Sequence, residues 1–105
     1  MTQRKMAREF EMTLMNGLLA RPAALLVKTA STFDAEISFG CRGVTVNAKS
    51  LLGVLSLVVA RGDLVSITAH GLDAAQALRA ISVLSENGFE SAAPTPRSLF
   101  AALSR

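Results

Sequence analysis

Early in the chain the apolar residues Met6, Phe10, Met12 and Leu14 fall on even positions, while Glu9, Glu11 and Thr13 fall on odd ones. That period of two predicts a half-buried strand over Met6–Leu14. After Asn16-Gly17 the period lengthens. Ala23, Leu26, Val27 and Ala30 recur at helical spacing, and Pro22 stands early enough that its missing N–H costs little. A first helix therefore ends near Ser31. The stretches "AEISF" and "VTVN" alternate or carry β-branched residues on either side of "GCRG". They predict a hairpin in which Gly40 and Gly43 supply unusual backbone angles. Leu51, Val54, Leu55 and Val58 mark a short second helix from Ser50. "DLVSITAH" alternates again, with Val65, Ile67 and Ala69 on one side, and Gly71 breaks it before Asp73 caps a last helix. That helix buries Ala74, Ala77, Leu78, Ile81 and Leu84 and stops at Asn87-Gly88, a left-handed ending.

The predicted order is strand, helix, strand, strand, helix, strand, helix, and each strand has one apolar face. An α+β fold follows, with one four-stranded antiparallel sheet, all three helices on one face and water on the other. At 105 residues the chain matches a single domain with one hydrophobic core. We place that domain at 1–90 and a C-terminal tail at 91–105. The tail, "SAAPTPRSLFAALSR", has two prolines and then an apolar cluster. It reads as a free end or a segment folded back on the core, ahead of a docking peptide.

Composition narrows the chemistry. No apolar run reaches the eighteen or so residues of a membrane span. "MTQRKMAREFEM" lacks the apolar core of a secretory signal, so a cytoplasmic protein with no membrane association is expected. The one cysteine has no disulfide partner, and with the one histidine it cannot build a zinc site, so neither metal nor cofactor is expected. The net charge of +3 is dispersed along the chain, with no aromatic base-stacking pair, which argues against direct nucleic-acid binding. No paired carboxylates at acid–base spacing and no phosphate-cradling glycine loop occur, so metal and nucleotide readings have no motif behind them.

Three motifs in order, "NGLLARPAALLV", "VNAKSLLGVLSL" and "AHGLDAAQALRAI", resemble the HPr family of the bacterial phosphotransferase system over about Met6 to Phe89. The resemblance implies an open-faced β-sandwich with three helices, in agreement with the periodicity. It also implies that a histidine at the start of the first helix would carry phosphate from Enzyme I to permease components. Here that position is Leu19, whose isobutyl group has no lone pair to accept a phosphoryl group. Arg21 and Pro22, which accompany the histidine in the family, are both in place.

The family's second site is a serine at the start of the second helix, phosphorylated where an HPr kinase exists, and Ser50 matches it. As a plain N-cap Ser50 needs no further role, and the two roles are compatible. The resemblance also implies that the two helix starts share one docking face. Leu19 and Leu51 would be its apolar part with Arg21 and Lys49 at the edge, while Leu18 and Leu52 read as buried. Val58 stands where the family often has a glycine. His70 reads as a solvent-facing histidine and not a relocated acceptor, and Cys41, in the expected turn, as incidental.

Some Gram-positive bacteria have a catabolite-repression HPr that lacks the histidine and acts through its serine alone, and the chain is similar to it in that logic. The expected function is a regulatory HPr-like protein phosphorylated on Ser50 by HPr kinase/phosphorylase and read by a transcriptional regulator or metabolic enzyme. The alternative is a component that docks on Enzyme I or enzyme IIA components of the permeases without relaying phosphate.

Overall fold

The structure, a computed structural model, describes residues 4–89. In chain order the elements are β1 (Arg4–Glu11), α1 (Ala20–Ser31), β2 (Glu36–Cys41), β3 (Val44–Asn47), α2 (Leu51–Ser56), β4 (Leu64–Gly71) and α3 (Ala74–Glu86). The four strands form one sheet in the order β1-β4-β2-β3. Every pairing is antiparallel, and the registers set Met6 opposite Ala69, Ile67 opposite Phe39 and Phe39 opposite Val46. Those residues point to the helices. Phe39, Ile67 and Ala69 are completely or almost completely buried with Leu26 of α1 and Leu78, Ile81 and Leu84 of α3. Truncating Phe39 to alanine would open a cavity worth roughly 3–5 kcal/mol. The opposite face presents small and polar residues, in rows such as Ala7–Thr68–Ser38–Asn47. The expected tail 91–105 lies outside the described residues.

Several boundaries differ from expectation, each for a local reason. Pairing of β1 with β4 ends at Glu11 and not Leu14, because the Met12 N–H donates to Asp63 O and the Met12 carbonyl accepts from the Gly62 N–H, closing the ladder. The alternation still sets burial beyond the strand, with Met12 buried and Leu14 half-buried. In the β2–β3 hairpin the two turn residues are Arg42 (φ 51°) and Gly43 (φ 79°), so a two-residue turn with both centres left-handed joins the strands. Gly40 does not shape that turn. It lies inside β2, where a Cβ would sit 2.7 Å from Ser66 Oγ. Cys41 is accordingly the buried last residue of β2 and not a turn residue.

The second helix stops at Ser56, and Val58 lies outside it with a positive φ of 49°. Asp73 occupies the N-cap position of α3 but makes no side-chain cap. Its carboxylate accepts instead from the backbone N–H groups of Asp34 and Ala35, each at 2.8 Å, and so holds the α1–β2 connection. The end of α3 is as expected. The Phe89 N–H donates to Leu84 O and the Gly88 N–H to Ser85 O with Gly88 left-handed, a Schellman ending that folds Phe89 onto Phe10.

Candidate functional site

Leu19 is the N-cap residue of α1, extended at φ −89° and ψ −172°, and no side chain caps the helix start. The first turn has no acidic residue, and Pro22 within it contributes no N–H. Leu19 is 57% exposed and Arg21 is exposed beside it, whereas Leu18 points inward and is buried. The loop that presents Leu19 is fixed from behind: the Leu18 N–H donates to Val59 O at 2.9 Å. Gly17 permits this approach, since a Cβ there would lie 2.2 Å from that same oxygen. The pattern can bind an apolar or anionic group through Leu19, Arg21 and a polarised helix start, and it contains no nucleophile.

Ser50 is the N-cap residue of α2, half-buried, with Oγ accepting from the Gly53 N–H at 3.1 Å. Its own N–H donates to Asn47 O, and Asn47 Oδ1 accepts from the Lys49 N–H. Lys49 does not stand beside Arg21. Its Nζ donates to Phe33 O at 2.6 Å, just beyond the C-terminal end of α1. Since Val59, beyond the end of α2, meets Leu18 at the start of α1, the two helices run antiparallel. The two helix starts are therefore not side by side. Leu19 and Arg21 lie at one end of the α1–α2 pair, and Ser50 and Lys49 lie at the other. Leu51 and Leu52, expected to be respectively exposed and buried, are 39% and 81% exposed, so α2 shows an apolar flank between the two ends. Met15, 78% exposed just before Leu19, adds to the apolar surface, though its place in the initial alternation did not single it out.

His70 lies on the open face of the sheet, exposed, between Lys5 of β1 and Glu36 of β2. Lys5 is near the start of β1 and Leu19 follows its end, so His70 is at the far end of the sheet from Leu19. The Cys41 thiol is also unsuited to nucleophilic chemistry. Burial pushes its pKa up; Arg42 opposes that rise and Asp63 adds to it. Among the described residues no group of three or more His, Cys, Asp or Glu is arranged to hold a metal ion. No helix among them is long and apolar enough to cross a membrane.

The family model described as the PTS HPr component phosphorylation site matches residues 6–87 of the chain. The chain belongs to the HPr family. Solved HPr structures agree in fold. One is HPr-C-His from Thermoanaerobacter tengcongensis, 40% identical over 82% of this chain and 98% of that one, with a TM-score of 0.78. Another is the phosphocarrier protein HPr of Bacillus anthracis str. Ames, 43% identical over 75% of this chain and 94% of that one, with a TM-score of 0.71. The Bacillus subtilis catabolite repression protein Crh is 38% identical over 76% of this chain and 92% of its own, with a TM-score of 0.63, and is described as a swapped, intertwined dimer. The four-stranded open sheet with three helices is thus the HPr open-faced β-sandwich, as the periodicity and the motifs both predicted.

Proposed function

We propose that this HPr-family chain is a non-enzymatic cytoplasmic regulator that binds partner proteins and carries no phosphate on the family's histidine position. The observation that carries this reading is Leu19 itself: the residue that matches the family's phosphohistidine is an exposed leucine at an uncapped helix start, next to an exposed Arg21. Phosphoryl transfer needs a nucleophilic lone pair at that point, and none is present. Ser50 remains as the modifiable group. Phosphate there would add a charge of about −1.5 to −2 and three acceptor oxygens. In this reading HPr kinase/phosphorylase places the phosphate, and a transcriptional regulator or metabolic enzyme reads it together with the flank of Leu51 and Leu52.

The experiment has two arms. Incubated with Enzyme I and phosphoenolpyruvate, the protein gains no acid-labile phosphate, while Leu19→His gains some because Arg21 and Pro22 are retained. Incubated with HPr kinase and ATP, it gains one acid-stable phosphate that Ser50→Ala abolishes. Acid-labile labelling of the unaltered protein would overturn the reading. Equal recovery of partners by the two Ser50 forms would favour the second reading, docking on Enzyme I or enzyme IIA components by occupancy alone, which the exposed Leu19 and Met15 also suit.

A further inference from the structure

Val58 is a β-branched residue in the left-handed region, at φ 49°, where steric cost is highest for such side chains. Its side chain is 75% exposed, so side-chain packing does not hold it there. The hold is on the backbone. Arg42 reaches across from the β2–β3 turn, and its Nη2 donates to Leu57 O and, at 3.4 Å, to Val58 O. Its Nη1 pairs with Asp63 Oδ2 at 2.5 Å, and the same oxygen accepts from the Ala60 N–H at 2.9 Å. One guanidinium thus ties both sides of the 57–63 loop. The ion pair alone contributes little, since the Arg42 side chain is 52% exposed, but a planar fork can bridge carbonyls and carboxylate at once.

What that loop supports is the Leu19 face. Val59 O receives the Leu18 N–H, and Asp63 O and the Gly62 N–H bond to Met12 on the other side of the same connection. We propose that Arg42 is a latch that holds Val58 in its left-handed conformation and thereby sets how Leu18 and Leu19 are presented at the start of α1. Among the described hydrogen bonds Arg42 makes none to either residue; it is a positioning residue acting through Leu57, Val58 and Val59. Its importance to a docking partner rests on the function proposed above, but the latch itself does not.

The test reads the latch alone, on the unphosphorylated protein with no partner added. Amide exchange of Leu18 and the backbone shifts of Leu19 are followed by NMR in Arg42→Ala, in the milder Arg42→Gln, in Val58→Gly, and in Arg42→Ala with Val58→Gly. Loss of the latch speeds exchange at Leu18 by roughly tenfold or more and moves the Leu19 shifts, while exchange in the middle of α3 stays slow. Glycine at 58 adopts the left-handed conformation without strain, so it restores slow exchange at Leu18 in the Arg42→Ala background. A general structural role for Arg42 would not be rescued in that way. Wild-type exchange at Leu18 in both Arg42 variants, or no rescue by Val58→Gly, would overturn the proposal.

Discussion

A single cysteine shows how burial decides reactivity at the scale of one residue. Cys41 lies at the end of β2 with its Sγ accepting from Arg42 Nη1 at 3.2 Å, and burial raises its pKa above the ordinary 9.0. The thiolate, not the thiol, is the nucleophile, so iodoacetamide at pH 8 should alkylate the folded protein far more slowly than the urea-unfolded one. Equal rates would contradict the buried placement. The same shift has a defined effect on stability. The unfolded chain releases this proton near 9.0 and the folded chain holds it to higher pH, so folding stability is unaffected below that value and falls as pH rises above it. Urea midpoints measured from pH 7 to 10.5 should show this added fall relative to Cys41→Ala.

At the scale of elements, Asp73 gives the clearest case of a side chain doing something other than its position suggests. Its carboxylate serves the backbone of Asp34 and Ala35 and not the first turn of α3. Asp73→Ala should therefore destabilise the protein by roughly 1–3 kcal/mol and speed amide exchange at Asp34 and Ala35. Exchange at Ala77, whose N–H bonds to the Asp73 backbone carbonyl, should change little. Fraying of α3 instead would restore the cap. Local pattern could not have found this contact, because the partners lie 38 and 39 positions away in sequence. It did find what depends on period alone: the buried residues of α3, and Val65, Ile67 and Ala69 of β4, were all legible as apolar faces. The left-handed angles of Arg42 and Val58 were not, since neither residue type signals positive φ, and Gly40 drew attention for a turn it does not form. Leu52 was read as buried, but six residues of helix bury only Val54 fully, and Leu52 is exposed.

For the molecule as a whole, the legible parts were strand and helix order and the placing of Leu19 and Ser50 at two helix starts. The mutual placement of those residues was hidden, because the direction in which two helices cross is set by long-range contacts such as Lys49 to Phe33 and Leu18 to Val59. Lys49 anchors the far end of α1 in this arrangement. Lys49→Met, which keeps the aliphatic stem and removes the ammonium, should lower stability by roughly 0.5–3 kcal/mol, with exchange rising around Phe33 and not around Leu19. A response centred on Leu19 would mean that the helices do not run in opposite directions.

That antiparallel crossing also gives the two candidate positions separate fates. Substitutions at sites without shared partners combine additively, and Leu19 and Ser50 share none among the described contacts. A lineage can exchange the side chain at one end of the helix pair without retuning the other. A double-mutant cycle of Leu19→Ala and Ser50→Ala on folding stability should close to within about 0.5 kcal/mol. A change of side chain at one end of the helix pair then leaves the packing and hydrogen bonds at the other end as they were.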